Sequence, residues 1–76
     1  MHQYLIFMLT GPEILKSNAR YGHNQSTEID GHEFTAHHYH YGYKGPYGVL
    51  IMKSNPKSHE QIRDAIDRTG VIPLPW

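Results

Sequence analysis

Two short runs constrain this chain more than anything else in it. Tyr4 to Leu9 and Val49 to Met52 are apolar at both alternating positions, so a strand made of either has no face it can offer to water. Both runs therefore belong in the middle of a sheet. At 76 residues there is room for one hydrophobic core, and the expectation is a single compact α+β domain over residues 1–76. No cysteine is present, which removes disulfides, thiolate zinc sites and cysteine nucleophiles and leaves packing, or a partner subunit, to hold the core.

Between these runs the local signals are uneven. Thr10-Gly11-Pro12-Glu13 has the chemistry of a helix start, with Pro where no donor is needed and Glu13 near the positive helix end, and Gly22 offers a stop. A short helix with Ile14, Leu15 and Ala19 facing a core is expected. His23 to Thr27 has no period and reads as loop. Asp30-Gly31 is a type I′ turn signal that can pair Thr27-Glu28-Ile29 with His32-Glu33-Phe34. From Phe34 the side chains alternate, with Phe34, Ala36, His38 and His40 on one face and Thr35, His37, Tyr39, Tyr41 and Tyr43 on the other. Turn chemistry follows over Gly42 to Pro46.

The second helix is the clearest element. Ser58 and Gln61 form a capping box, Ile62, Ala65, Ile66 and Thr69 share one stripe, Asp64 and Arg68 can pair, and Gly70 closes the helix. Val71 to Trp76, with two prolines, reads as an edge strand or an extended tail. Strand, helix, strand, strand, helix, strand is the order of a ferredoxin-like βαββαβ sandwich: a single-layer antiparallel sheet with two helices on one face.

That architecture leaves one sheet face bare. If Leu5, Phe7 and Leu9 meet the helices, then Tyr4, Ile6 and Met8 face outward. With Tyr39 and Tyr41 they make an apolar and aromatic patch of the kind that marks a partner site. The hairpin residues Tyr43, Lys44 and Tyr47 extend it. The alternative is that Trp76 or the polar loop folds back over this face.

Seven histidines against seven Lys/Arg and seven Asp/Glu give a chain that is neutral at pH 7 and becomes positive in mild acid, so partner binding or self-association is expected to weaken below about pH 6. His38 and His40 share a strand face at a spacing that suits a zinc or other transition-metal ion, with Asp30, His32 or Glu33 as a third ligand across a hairpin. Three functions follow from these features. The first is a small non-enzymatic protein-binding module, the second a His-rich divalent-metal-binding protein, and the third a single-stranded nucleic-acid binder using Gly42 to Gly48. The third is the weakest, because Arg20, Lys44, Lys53, Lys57, Arg63 and Arg68 are dispersed among acids. No nucleophile elbow, phosphate-binding loop, dinucleotide fingerprint or zinc-protease motif is present. The apolar run at the start is too short for a membrane span or a secretory core, so a cytoplasmic protein is expected, and the sequon Asn24-Gln25-Ser26 stands alone. In size and style, though in no residue motif, the chain is similar to the stand-alone antagonists of phages and mobile elements, anti-CRISPR proteins among them. That likeness implies inhibition of a larger host protein machine.

Overall fold

A computed structural model describes residues 1–76. Its elements are β1 (His2–Met8), β2 (Gly11–Ser17), β3 (Ser26–Ile29), β4 (His32–Tyr39), β5 (Tyr47–Met52) and α1 (His59–Thr69). The strands form one five-stranded sheet in the order β2-β1-β5-β4-β3. β1 runs parallel to β5, and every other pair is antiparallel. The two doubly apolar runs are thus adjacent and neither lies at an edge, and Tyr4 to Phe7 and all of β5 are buried.

The two-helix ferredoxin-like arrangement is overturned: the sheet is mixed, and one helix of 11 residues is all the helix there is. The expected first helix is β2. Leu9-Thr10 turn the chain, Gly11 takes a positive φ of 129°, and β2 then pairs with β1 from Met8↔Gly11 to His2↔Ser17. An isolated helix of under ten residues is too short to sustain itself, whereas pairing satisfies the whole open edge of β1. It also uses both apolar residues, sending Ile14 to the α1 face and Leu15 to the opposite face. Pro12 costs nothing because β2 is an edge strand. Thr10 does not cap a helix; its Oγ1 donates to Glu13 Oε2 at 3.2 Å.

The Asp30-Gly31 turn does form a hairpin, with φ of 52° and 80° at the two turn residues and Ile29 opposite His32. β4, which the ferredoxin-like order would put at an edge, is therefore flanked by β3. The C-terminal segment forms no strand. It is an extended tail held by Leu74 N–H to the Pro46 carbonyl at 2.8 Å and Ile72 N–H to Gln3 Oε1 at 3.1 Å.

α1 follows its local chemistry closely. The Ser58 side chain accepts from the Gln61 N–H, Gln61 Oε1 accepts from the Ser58 N–H at 2.9 Å, and Gly70 ends the helix in the left-handed conformation. Ile62, Ala65 and Ile66 pack on Leu5, Phe7, Val49 and Ile51. The opposite sheet face carries a second core of Tyr4, Ile6, Phe34, Ala36, Leu50, Met52 and Leu74, with Tyr21 and Trp76 against it. No helix covers this second core, yet the chain's own segments do: residues 19–21 on one side and the tail on the other. The bare face expected from two helices on one side does not exist over Tyr4 and Ile6.

Candidate functional site

α1 packs over the β1–β2 side of the sheet, so on the same face the β4 half is left uncovered. Between β4 and the chain entering α1 lies a groove of about 410 Å³. Its floor is Ile51 and Ile62, and its walls are His23, His37, His38, Tyr39, Pro56, Lys57 and His59. No carboxylate lines it.

Each histidine is placed by a different device. His37 and Tyr39 point to the α1 side by strand alternation, since Val49 and Tyr47 are their cross-strand partners. His59 sits in the first turn of α1, where Nδ1 lies 3.1 Å from the Tyr39 hydroxyl. His23 comes from the loop before β3. That loop is not free: Asn24 N–H donates to the Ala36 carbonyl and Ala36 N–H to the Gln25 carbonyl, each at 2.8 Å, prolonging the pairing along β4. At the end of this extension His38 N–H donates to His23 Nδ1 at 3.1 Å. A backbone N–H can only donate, so Nδ1 of His23 carries no proton and its Nε2 is the N–H donor. His38 itself turns to the other face, with Nε2 2.9 Å from the Tyr21 carbonyl. A carbonyl can only accept, so this Nε2 carries the proton.

The His23 and His37 rings are neighbours, with centroids 5.9 Å apart and planes at 71°. Burial, and then the nearby His23 ring, lower the pKa of His37. The rings of His23, His38 and His59 each hold a hydrogen bond, and that of His37 holds none.

The metal set expected from sequence is not assembled. His32 lies at the far end of β4 from His38, about 20 Å away at strand rise. His40 is exposed beyond the strand end, Glu33 is paired with Lys53 at 2.7 Å, and Asp30 occupies the turn. No three His, Cys, Asp or Glu side chains converge on a common point. His23 is also a poor substitute ligand, because a neutral imidazole bound to metal through Nε2 must protonate Nδ1, and Nδ1 is already an acceptor.

The expected partner-binding residues separate into three groups. Tyr4, Ile6 and Tyr47 are buried in the two cores, so none of them presents a surface. Met8, Tyr39 and Tyr41 are half-buried, with the Tyr41 hydroxyl donating to Asp67 Oδ2 at 3.1 Å. Tyr43 and Lys44 are exposed, Tyr43 completely. Gly42 to Gly48 therefore offers one free aromatic ring rather than a stacking platform. The groove residues His23, Lys57 and His59 are not among the site residues expected from sequence, which places His23 in a loop and Lys57 among dispersed basic residues. Only the position of His59, directly after the Ser58 cap, was available there as a signal.

No helix is long and apolar enough to cross a membrane. No protein-family model, curated protein or solved structure matches the chain.

Proposed function

We propose that the chain is a small non-enzymatic protein-binding module acting in the cytoplasm, and that its contact surface is the loop between β4 and β5 rather than the sheet face. The observation that carries this reading is Tyr43, a fully exposed aromatic ring on a tethered loop. Tyr41 ties one side of the loop to Asp67 of α1, and the other side is fixed by buried Tyr47 and by the bond from Leu74 N–H to the Pro46 carbonyl. Tyrosine buries much area for little entropy, and a tethered loop lowers the ordering cost of association. Lys44 beside it supplies charge. Antagonism of a larger protein machine is the use we favour, since such a role needs a rigid contact surface and no catalytic group.

The test is affinity capture from host lysate by the immobilised protein, compared with Tyr43→Ala and Lys44→Ala forms of unchanged circular dichroism. A specific partner bound by the native chain and lost from Tyr43→Ala supports the proposal. Identical partners on all three chains remove this loop as the contact surface.

A further inference from the structure

The groove between β4 and α1 is built from residues far apart in sequence, and what it presents is chemically one-sided. His23, His37, Tyr39, Lys57 and His59 bring hydrogen-bond donors or positive charge, Ile51 and Ile62 make an apolar floor, and no acid takes part. Acids on the two elements that flank it are turned elsewhere. Glu60 of α1 lines a separate depression with Arg63 and Asp64, and Glu33, four positions from His37 on β4, is held by Lys53. We propose that this groove is a binding site for a small organic acid, a carboxylate carried on an apolar body the size of an aromatic ring. The ring lies on Ile51 and Ile62 beside Tyr39, and the carboxylate lies across the nitrogen edges of the His23 and His37 imidazoles.

Three observations support this occupant over others. The volume of about 410 Å³ is within the range of small-ligand sites. The Nε2–H of His23 is fixed as a donor by the bond its Nδ1 accepts from His38. His37 stands 5.9 Å from it with no hydrogen bond of its own, a half-buried polar ring whose cationic form lacks any neighbouring counter-charge. A carboxylate supplies that counter-charge. A metal ion is disfavoured by the same His23 tautomer, and an organic cation by Lys57.

The groups facing His37 are His23 from the preceding loop, Tyr39 from β4, and Lys57 and His59 from the chain entering α1 and from its first turn. All are neutral or positive. An anion among them favours the protonated form of His37, the one ring here with no hydrogen bond of its own, so binding takes up a proton and must tighten as pH falls. Each proton taken up strengthens binding by as much as about tenfold per pH unit. The shared chemistry, a carboxylate on a ring-sized apolar body, is found both in free aromatic acids and at the C-terminus of a peptide ending in phenylalanine.

The experiment is titration of the intact chain, followed by calorimetry and by the ring-proton NMR signals of the histidines, with benzoate, benzamide, benzamidine and acetyl-Gly-Phe. The expected result is saturable benzoate binding that shifts the His23, His37 and His59 signals and is at least about fivefold tighter near pH 6 than near pH 8. Benzamide and benzamidine bind more weakly at both. His37→Gln should abolish the pH dependence and His23→Gln should weaken binding at both pH values, with His40→Gln unchanged. Tighter binding of acetyl-Gly-Phe than of benzoate assigns the site to peptide termini, and the reverse assigns it to free acids. Equal affinity for benzoate and benzamide, or no saturable carboxylate binding at millimolar concentration, overturns the proposal. Loss of the Tyr43-dependent partner has no bearing on it, because Tyr43 lies outside the groove.

Discussion

Gly48 lies directly against the ring of Tyr4, its register partner across the parallel β1–β5 pair. A Cβ at position 48 would stand 2.5 Å from Tyr4 Cδ1, 2.8 Å from Cε1 and 3.1 Å from Leu74 Cδ1. The glycine is what lets a tyrosine lie flat on the sheet beneath the tail. Gly48→Ala must displace either the ring or Leu74, and overpacking of this kind costs about 1–3 kcal/mol. Urea denaturation measures the loss. A stability equal to that of the native chain would mean that the ring and the tail are not held where they lie.

The same ring anchors the segment that covers it. The Tyr4 hydroxyl donates to the Ala19 carbonyl at 2.6 Å and accepts from the Tyr21 N–H at 3.3 Å. Tyr4→Phe leaves both backbone groups without their partner while keeping the apolar packing, a loss of about 1–3 kcal/mol. Amide exchange at Tyr21 should accelerate before exchange in the core strands does. Unchanged exchange there contradicts an anchoring role for the hydroxyl.

The tail closes the second core from the other side. Leu74 is 5% exposed, and the Trp76 ring meets His2 edge-on at 4.3 Å with the Arg20 guanidinium 4.3 Å from its centroid. Leu74→Ala should cost about 2–5 kcal/mol. Removal of residues 74–76 should bare Tyr4 and Leu50, and light scattering and binding of a hydrophobic dye report that exposure. A truncated chain that stays monomeric and dye-silent would show that residues 19–21 cover the face alone.

What was legible in the sequence was local. The Ser58–Gln61 box, the Ile62, Ala65, Ile66 stripe and the Asp30-Gly31 turn each depend on neighbours within a few positions, and each forms as those residues dictate. The apolar runs at β1 and β5 placed both strands inside the sheet for the same reason. β2 reads locally as a helix because Thr10-Gly11-Pro12-Glu13 suits a helix start and a hairpin equally well. The deciding term is the unpaired edge of β1, which no window around Pro12 contains. A helix there strips one sheet face, and so turns Tyr4 and Ile6 into surface. The groove was hidden differently: alternation gave His37 and Tyr39 a common face, but His23 and His59 reach it only through tertiary structure.

Tyr41 and Asp67 join the Tyr43 loop to the helix, and the bond leaves a spectroscopic mark. Its pKa is raised above the ordinary tyrosine value, first by the hydrogen bond to Asp67 and next by that residue's charge. A pKa raised by folding means that the contribution to stability is present below the unfolded value of about 10 and is lost as pH rises through the folded one. Absorbance titration of the folded chain should show a late-ionising phenol that disappears in Tyr41→Phe and ionises earlier in Asp67→Asn. Identical titrations of native and Asp67→Asn protein would show that the bond does not hold in solution.

His37 gives the opposite sign. Burial, followed by the neighbouring His23, holds its pKa below 6.5, so the folded chain resists a proton that the unfolded chain accepts. Between the lowered folded value and about 6.5, the unfolded state carries more protons, and stability rises with pH across that window. The contribution of His37 is therefore present above about pH 6.5 and is lost as pH falls through its folded value. His37→Gln removes the titrating group, so its melting temperature should vary less between neutral pH and pH near 5 than that of the native chain. Addition of benzoate should restore part of the native chain's acid loss, and should raise the melting temperature of His37→Gln by the same amount at both pH values. A melting temperature that declines equally in both chains would assign the acid sensitivity to other groups and leave His37 without a share in it.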